Sequence, residues 1–187
     1  MANKIKYGLQ GVHWATITQS GSVITYGTPS EWKGAVSINM SPESSQTNFY
    51  ADNGIYYSLE ANSGYSGDLV TASIPDLFRT QCLGETLDAK GFYVEDSTAK
   101  RGEFALMFQF EGDENATRHI MYRCVASRPN VEGQTIEDSV TPQTETVTIT
   151  AMPRLDDHIV KARCPFSSSS TSSYQLWFTT VQEPTAS

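Results

Sequence analysis

The chain alternates apolar and polar side chains with a period of two, and this pattern constrains its fold more than any other feature. In EFALMFQFE, Phe104, Leu106, Phe108 and Phe110 fall on one side, with Ala105, Met107 and Gln109 on the other. In HIMYRCVA the same spacing places Ile120, Tyr122, Cys124 and Ala126 opposite Met121, Arg123 and Val125. TETVTITAM sets Val147, Ile149 and Ala151 against Thr146, Thr148 and Thr150. Shorter stretches of the same kind predict strands at 12–17, 22–26, 35–40, 68–74, 91–95 and 158–163. Such β-branched and aromatic segments suit a half-buried pleated surface.

Helical signals are few. IPDLFRTQCLG predicts one flanking helix over about 74–83, with Pro75 in its first turn, Asp76 near the positive dipole end and Gly84 just past its end. Leu77, Phe78 and Cys82 then share a face that docks on a sheet. A short C-terminal helix is expected over SYQLWFTTV, 173–181, with Leu176, Trp177 and Val181 as its apolar set. Loops fall at 25–34, 111–118 and 127–143, and the serine-rich tract 167–173 reads as a mobile connector to the C-terminal segment. At 187 residues the chain suits a single domain spanning 1–187. Strands far outnumber helices, so the expected class is mainly β, a sandwich or barrel with one flanking helix.

Composition narrows the function classes. A chain of this length buries roughly 70% of its unfolded surface, so its core needs no metal or disulfide. Cys82, Cys124 and Cys164 are an odd, widely spaced set, unlike a disulfide framework. MANKIKYGLQGVHW has Lys4 and Lys6 without a following apolar run, and no signal peptide is expected. Without one, the triplets at Asn39 and Asn115 read as chance glycosylation matches. A net charge of −8 argues against a tight grip on nucleic acid, which depends on Lys and Arg displacing counterions.

The sequence holds no recognisable catalytic constellation. GYSGD, 64–68, lacks the second glycine of a serine-hydrolase elbow and reads as a glycine-rich hairpin connection. His13, His119 and His158 are far apart, without a metal-ligand partner at the right spacing. Glu111-Gly112-Asp113-Glu114 lacks the alternating ligands of a calcium loop, and Asp156-Asp157 reads as a turn. Cys82 and Cys124 read as core thiols. No cofactor, metal or catalytic residue is expected, and the expected role is non-enzymatic.

The stretch FYADNGIYY, 49–57, is the unusual one. Asn53 and Gly54 suit a two-residue hairpin turn, which would set Tyr50 across from Tyr57 and Phe49 across from Ser58. Tyr50, Ile55 and Tyr57 would then share one face with Leu59, while Phe49 and Tyr56 take the other. Rings on both faces of an isolated ribbon need a cover. Either the hairpin is central within the monomer, or Phe49, Tyr50, Asn53, Gly54, Tyr56 and Tyr57 form a contact between subunits.

FYADNGIYY, followed by NSGYSGDL and IPDLFR, resembles the major tail protein, or tail-tube protein, of long non-contractile-tailed bacteriophages of Gram-positive bacteria. The likeness extends to KIKYGLQGVHWA, YGTP, GAVSINMSPE, ATRHIMYRCVASRP and PQTETVTITAMPR, and so covers about Ile5 to Trp177 in the expected order. CPFSSSSTSS is less typical of that family. The resemblance implies a β-sandwich tail-tube fold and hexameric rings stacked into a hollow tube within the virion, assembled in the host bacterial cytoplasm. It also implies a tape-measure protein and a tail-terminator protein as partners, and DNA passing through the lumen without specific binding. Six copies at −8 each would give a ring about −48 in formal charge, which disfavours adhesion of DNA. The alternative is a β-sandwich carbohydrate-binding module, for which Trp14, Trp32 and Trp177 are the available platforms besides the hairpin.

Overall fold

The computed structural model describes residues 3–21, 23–135 and 142–184. Within them the chain is mainly β and of β-sandwich type. Nine strands form one antiparallel sheet: β1 (Lys6–Ser20), β2 (Val23–Tyr26), β3 (Ser30–Glu31), β4 (Ala35–Ala51), β5 (Gly54–Thr71), β8 (Phe104–Gly112), β9 (Thr117–Ala126), β10 (Glu145–Ala151) and β11 (Lys161–Cys164). A separate two-stranded ribbon joins β6 (Thr86–Leu87) to β7 (Tyr93–Val94). The main path runs β2-β1-β8-β9-β10-β5-β4, with β11 added on β9 and β3 on β1.

Central strands are covered on both faces, which explains why their apolar content exceeds simple alternation. Phe104, Leu106 and Phe108 enter the larger core cluster with Trp14, Trp32, Phe78, Val147 and Ile149. Ala105 and Met107 enter a second cluster on the opposite face with Ile120, Tyr122 and Trp177. In the larger cluster, Phe78 is the hub. Its ring lies 4.4 Å from that of Trp32, 5.0 Å from Phe104 and 5.6 Å from Trp14. Trp32 Nε1 donates to Thr71 Oγ1 at 3.0 Å, which lets a polar indole edge be buried without loss.

The expected faces of β9 need correction. Phe104 pairs with Cys124, but Leu106 pairs with Met121, so one extra residue bulges from β9. Cys124 and Ala126 therefore join Met121 in the larger cluster, while Ile120 and Tyr122 point the other way. β10 follows its alternation: Val147, Ile149 and Ala151 are fully buried.

The flanking helix is present, and its second half is unusually wide. One α-turn, α1 (Asp76–Phe78), runs into a π-turn over Arg79–Leu83, closed by Gly84 N–H donating to Arg79 O. Pro75 is the N-cap, one place earlier than expected, and Gly84 ends the helix at φ +85°. The wider turn aligns Phe78 with Leu83 at five-residue spacing. Phe78, Cys82 and Leu83 are buried, and Leu77 is exposed, contrary to the helical spacing expected for it.

The C-terminal helix is α2 (Thr171–Leu176), two residues earlier and shorter than the expected 173–181. It covers the second cluster through Trp177, with Tyr174 and Val181 packed around it, whereas Leu176 is exposed. The serine tract differs from a free connector. Ser170 Oγ donates to Pro165 O at 2.9 Å, and Ser167 N–H donates to Ser170 Oγ at 3.0 Å, which ties the tract into the entry of α2. Part of the expected loop 127–143 lies outside the described residues.

Candidate functional site

β4 and β5 outrun the sheet. β10 pairs with β5 only from Tyr65 to Thr71, whereas β4 follows β5 all the way from Thr71 to Gly54. The free ribbon beyond Gly64 is about ten residues long, or roughly 34 Å at ~3.4 Å per residue. Its strand propensity is weak over Ser44-Ser45-Gln46, so the pairing depends on backbone bonds and a few side-chain contacts, such as Gln46 Nε2 donating to Ser58 Oγ at 2.8 Å.

Two glycines root the ribbon. A Cβ on Gly67 would lie 1.8 Å from Asn39 O, and one on Gly64, at φ +125°, would lie 2.0 Å from Ala151 O. Only glycine permits these backbone approaches. GYSGD is thus strand interior and not the expected hairpin connection. Ser66 sits in the ladder, paired with Thr150 on one side and Ser41 on the other.

The turn is displaced by one residue from its expected place. Ala51 pairs with Gly54 and Tyr50 with Ile55, so the loop residues are Asp52 and Asn53, at φ +50° and +64°. Both residue types tolerate the left-handed region, which allows the shift. Gly54 opens β5 instead of serving as a turn residue. A bulge then absorbs Tyr56, so Phe49 pairs with Tyr57 and Thr47 with Leu59. The expected pairing of Tyr50 with Tyr57 is replaced. Phe49, Tyr57 and Leu59 share one face, and Tyr50 and Ile55 share the other. Tyr56 meets Phe49 edge-on at 6.4 Å.

All these rings face outward. Phe49 is 61% exposed, Tyr50 66%, Tyr56 73% and Tyr57 60%, with Ile55 and Leu59 exposed beside them. No part of the described chain covers either face. The ribbon is also acidic: Glu43, Asp52 and Glu60 lie between residues 43 and 63, with no Lys or Arg.

Other sequence-flagged groups are absorbed by structure. Trp14, Trp32 and Trp177 are buried, so none is the exposed platform expected for a carbohydrate module. His13 stacks on Phe178 at 4.6 Å, and His158 occupies a turn at φ +60°. His119 stacks on Phe108 at 5.3 Å, and burial, with Lys6, Arg163 and Lys161 nearby, pushes its pKa down to about 4. Burial pushes the Cys82 thiol up to about 12 and the Cys124 thiol higher still, so neither forms a thiolate at neutral pH. Among the described residues no group of three His, Cys, Asp or Glu side chains is placed to hold a metal. The 111–114 tip is pinned by Asn3, whose Oδ1 accepts from Asn115 N–H at 3.1 Å, and by Lys4 N–H donating to Asp113 Oδ1 at 2.9 Å.

Two arrangements carry no local sequence signature. Arg154 is buried and meets Asp156, Asp157 and Glu183. A pocket of about 280 Å³ opens at the root of the ribbon, between β4, β5, β8, β9 and β11. Each depends on a pairing between residues far apart in the chain, Glu183 with Arg154 and Lys161 with the Lys6 side, which the tertiary fold brings together. Among the described residues no helix is long and apolar enough to cross a membrane. Compared with models of known protein families the chain matches none, and no curated protein matches its sequence.

Proposed function

We propose that this chain is a structural subunit that self-assembles into stacked hexameric rings, forming the tail tube of a long-tailed, non-contractile phage virion. The observation that carries this reading is the roughly 34 Å ribbon with large apolar rings exposed on both faces. An isolated two-stranded ribbon is marginal in water, and exposed apolar clusters mark interaction surfaces. A neighbouring copy supplies the cover.

Three further features support it. β2 and β4 terminate the sheet and leave two open margins, which ring closure between subunits would pair. The resemblance of the ribbon and seven further segments to tail-tube proteins points to the same assembly. The −8 charge suits a conduit that DNA traverses without adhering. In that setting the tape-measure protein occupies the lumen during assembly and a terminator protein closes the tube.

Analytical ultracentrifugation across a concentration series tests the reading. Wild-type chain shifts to hexamers and larger species as concentration rises, and the Tyr56→Ser/Tyr57→Ser variant stays monomeric. A wild-type chain that remains a monomer at every concentration, or a variant that associates equally well, contradicts it.

A further inference from the structure

We propose that the ribbon tip of one copy seats in the basic, ring-lined pocket at the ribbon root of a second copy. This deepens the self-assembly reading above and rests on it. The pocket is walled by Tyr65 of β5, Phe108 and Phe110 of β8 and His119 of β9, with Lys6 and Lys161 at its margin. Lys6 Nζ lies 4.7 Å from the centre of the Phe110 ring, and Lys161 Nζ lies 4.1 Å from that of Tyr65. Among the described residues no Asp or Glu lines the pocket and neither lysine forms an ion pair. On a chain of net charge −8, this is a local reversal of sign. It selects an anionic, aromatic-bearing occupant.

The ribbon tip has that chemistry. Asp52 stands at the turn, flanked by exposed Tyr50, Ile55 and Tyr56, and Glu60 follows on the shaft. A pocket of about 280 Å³ is at or below the lower limit for small-molecule sites, and it fits the anchoring side chains of a protruding turn. The tip cannot reach the pocket of its own chain. Tyr65 belongs to the same ribbon, thirteen residues from Asp52 along extended backbone, or roughly 40 Å away at ~3.4 Å per residue. Tip and pocket are therefore different surfaces that can meet only between copies. A contact of this head-to-tail kind either closes a ring or propagates a stack.

Disulfide trapping between two full-length variants tests the contact. One carries Ile55→Cys at the tip and the other Met40→Cys on the pocket wall, while the three native cysteines are buried and do not compete. Mixing under mild oxidation gives a heterodimeric cross-link in several-fold excess over either homodimer. A second pair of changes reads the charge directly. Asp52→Asn in the tip partner, a residue that keeps the turn conformation, lowers the yield against the unchanged pocket. It raises the yield against a Lys161→Glu pocket. Rings or tubes that form without the heterodimeric cross-link, or an Asp52→Asn effect of the same sign against both pockets, overturn the contact but leave self-assembly intact. Absence of both cross-link and assembled species overturns both.

Discussion

Arg154 Nη1 stands 2.7 Å from Glu183 Oε2 and joins the end of the described chain to the middle of the second core face. The contact is an ion pair without hydrogen-bond alignment. Arg154 also donates from Nε to Asp156 Oδ1 at 2.9 Å, and its guanidinium lies 5.4 Å from the Tyr122 ring. Tyr122 Oη in turn donates to Gln182 O at 2.8 Å. A buried guanidinium thus clasps the segment that follows Trp177.

Glu183→Gln should cost about 1 kcal/mol, because Glu183 is half exposed and solvent screens the pair. Arg154→Met should cost more, about 2 kcal/mol, since the three carboxylates lose their common partner. Denaturant titration reads both. Hydrogen exchange should show the loss of protection concentrated in residues 177–184.

Gly67→Ala should prevent folding or cost at least about 3 kcal/mol, because the added carbon falls 1.8 Å from Asn39 O, within the ladder that joins β4, β5 and β10. Gly54→Ala, where a Cβ meets nothing within 4 Å, should stay within about 0.5 kcal/mol of wild type. Thermal unfolding of the two variants side by side checks the contrast.

Acid should weaken the fold through His119. Its pKa is lowered from 6.5 to about 4 by burial and by nearby cations, so the unfolded chain binds the proton first. The stabilisation is fully present above pH 6.5 and is lost as pH falls from there through about 4. Allowing for partial exposure, the change is on the order of 1–2 kcal/mol. Asp156 adds a lower window. Its hydrogen bond from Arg154 holds its carboxyl well below the usual range, so its contribution is lost progressively as pH falls from the ordinary Asp range down through that lowered value. Urea midpoints between pH 7 and pH 4 should fall for wild type and flatten for His119→Phe.

Tyr56→Ser/Tyr57→Ser should leave the monomer folded, with a stability change under about 1 kcal/mol, because both rings are already in water. Thermal unfolding of dilute protein measures it. A large loss would mean that the ribbon supports the core.

The sequence makes the centre of the sheet legible and its periphery much less so. Phe104, Leu106 and Phe108 read correctly because a strand has one period and no competing helical pattern. Cys124 reads on the wrong face because a bulge leaves no compositional trace: Arg123-Cys124 looks like continuous alternation. The ribbon is recognisable from its rings, but its length is not, since Ser44 to Asn48 have neither apolar spacing nor strand propensity. Its register hinges on whether Asp52-Asn53 or Asn53-Gly54 takes the left-handed positions, and both pairs can. The pocket and the Arg154 clasp depend on pairings across more than a hundred and across twenty-nine residues respectively, beyond the reach of any local pattern.

Negative-stain electron microscopy of the concentrated wild-type chain tests self-assembly most directly. Six-fold rings, end-on, and short tubes with a hollow centre, side-on, are the expected images. A field of uniform particles the size of a single 20.6 kDa chain, unchanged at the highest concentration, would contradict the account.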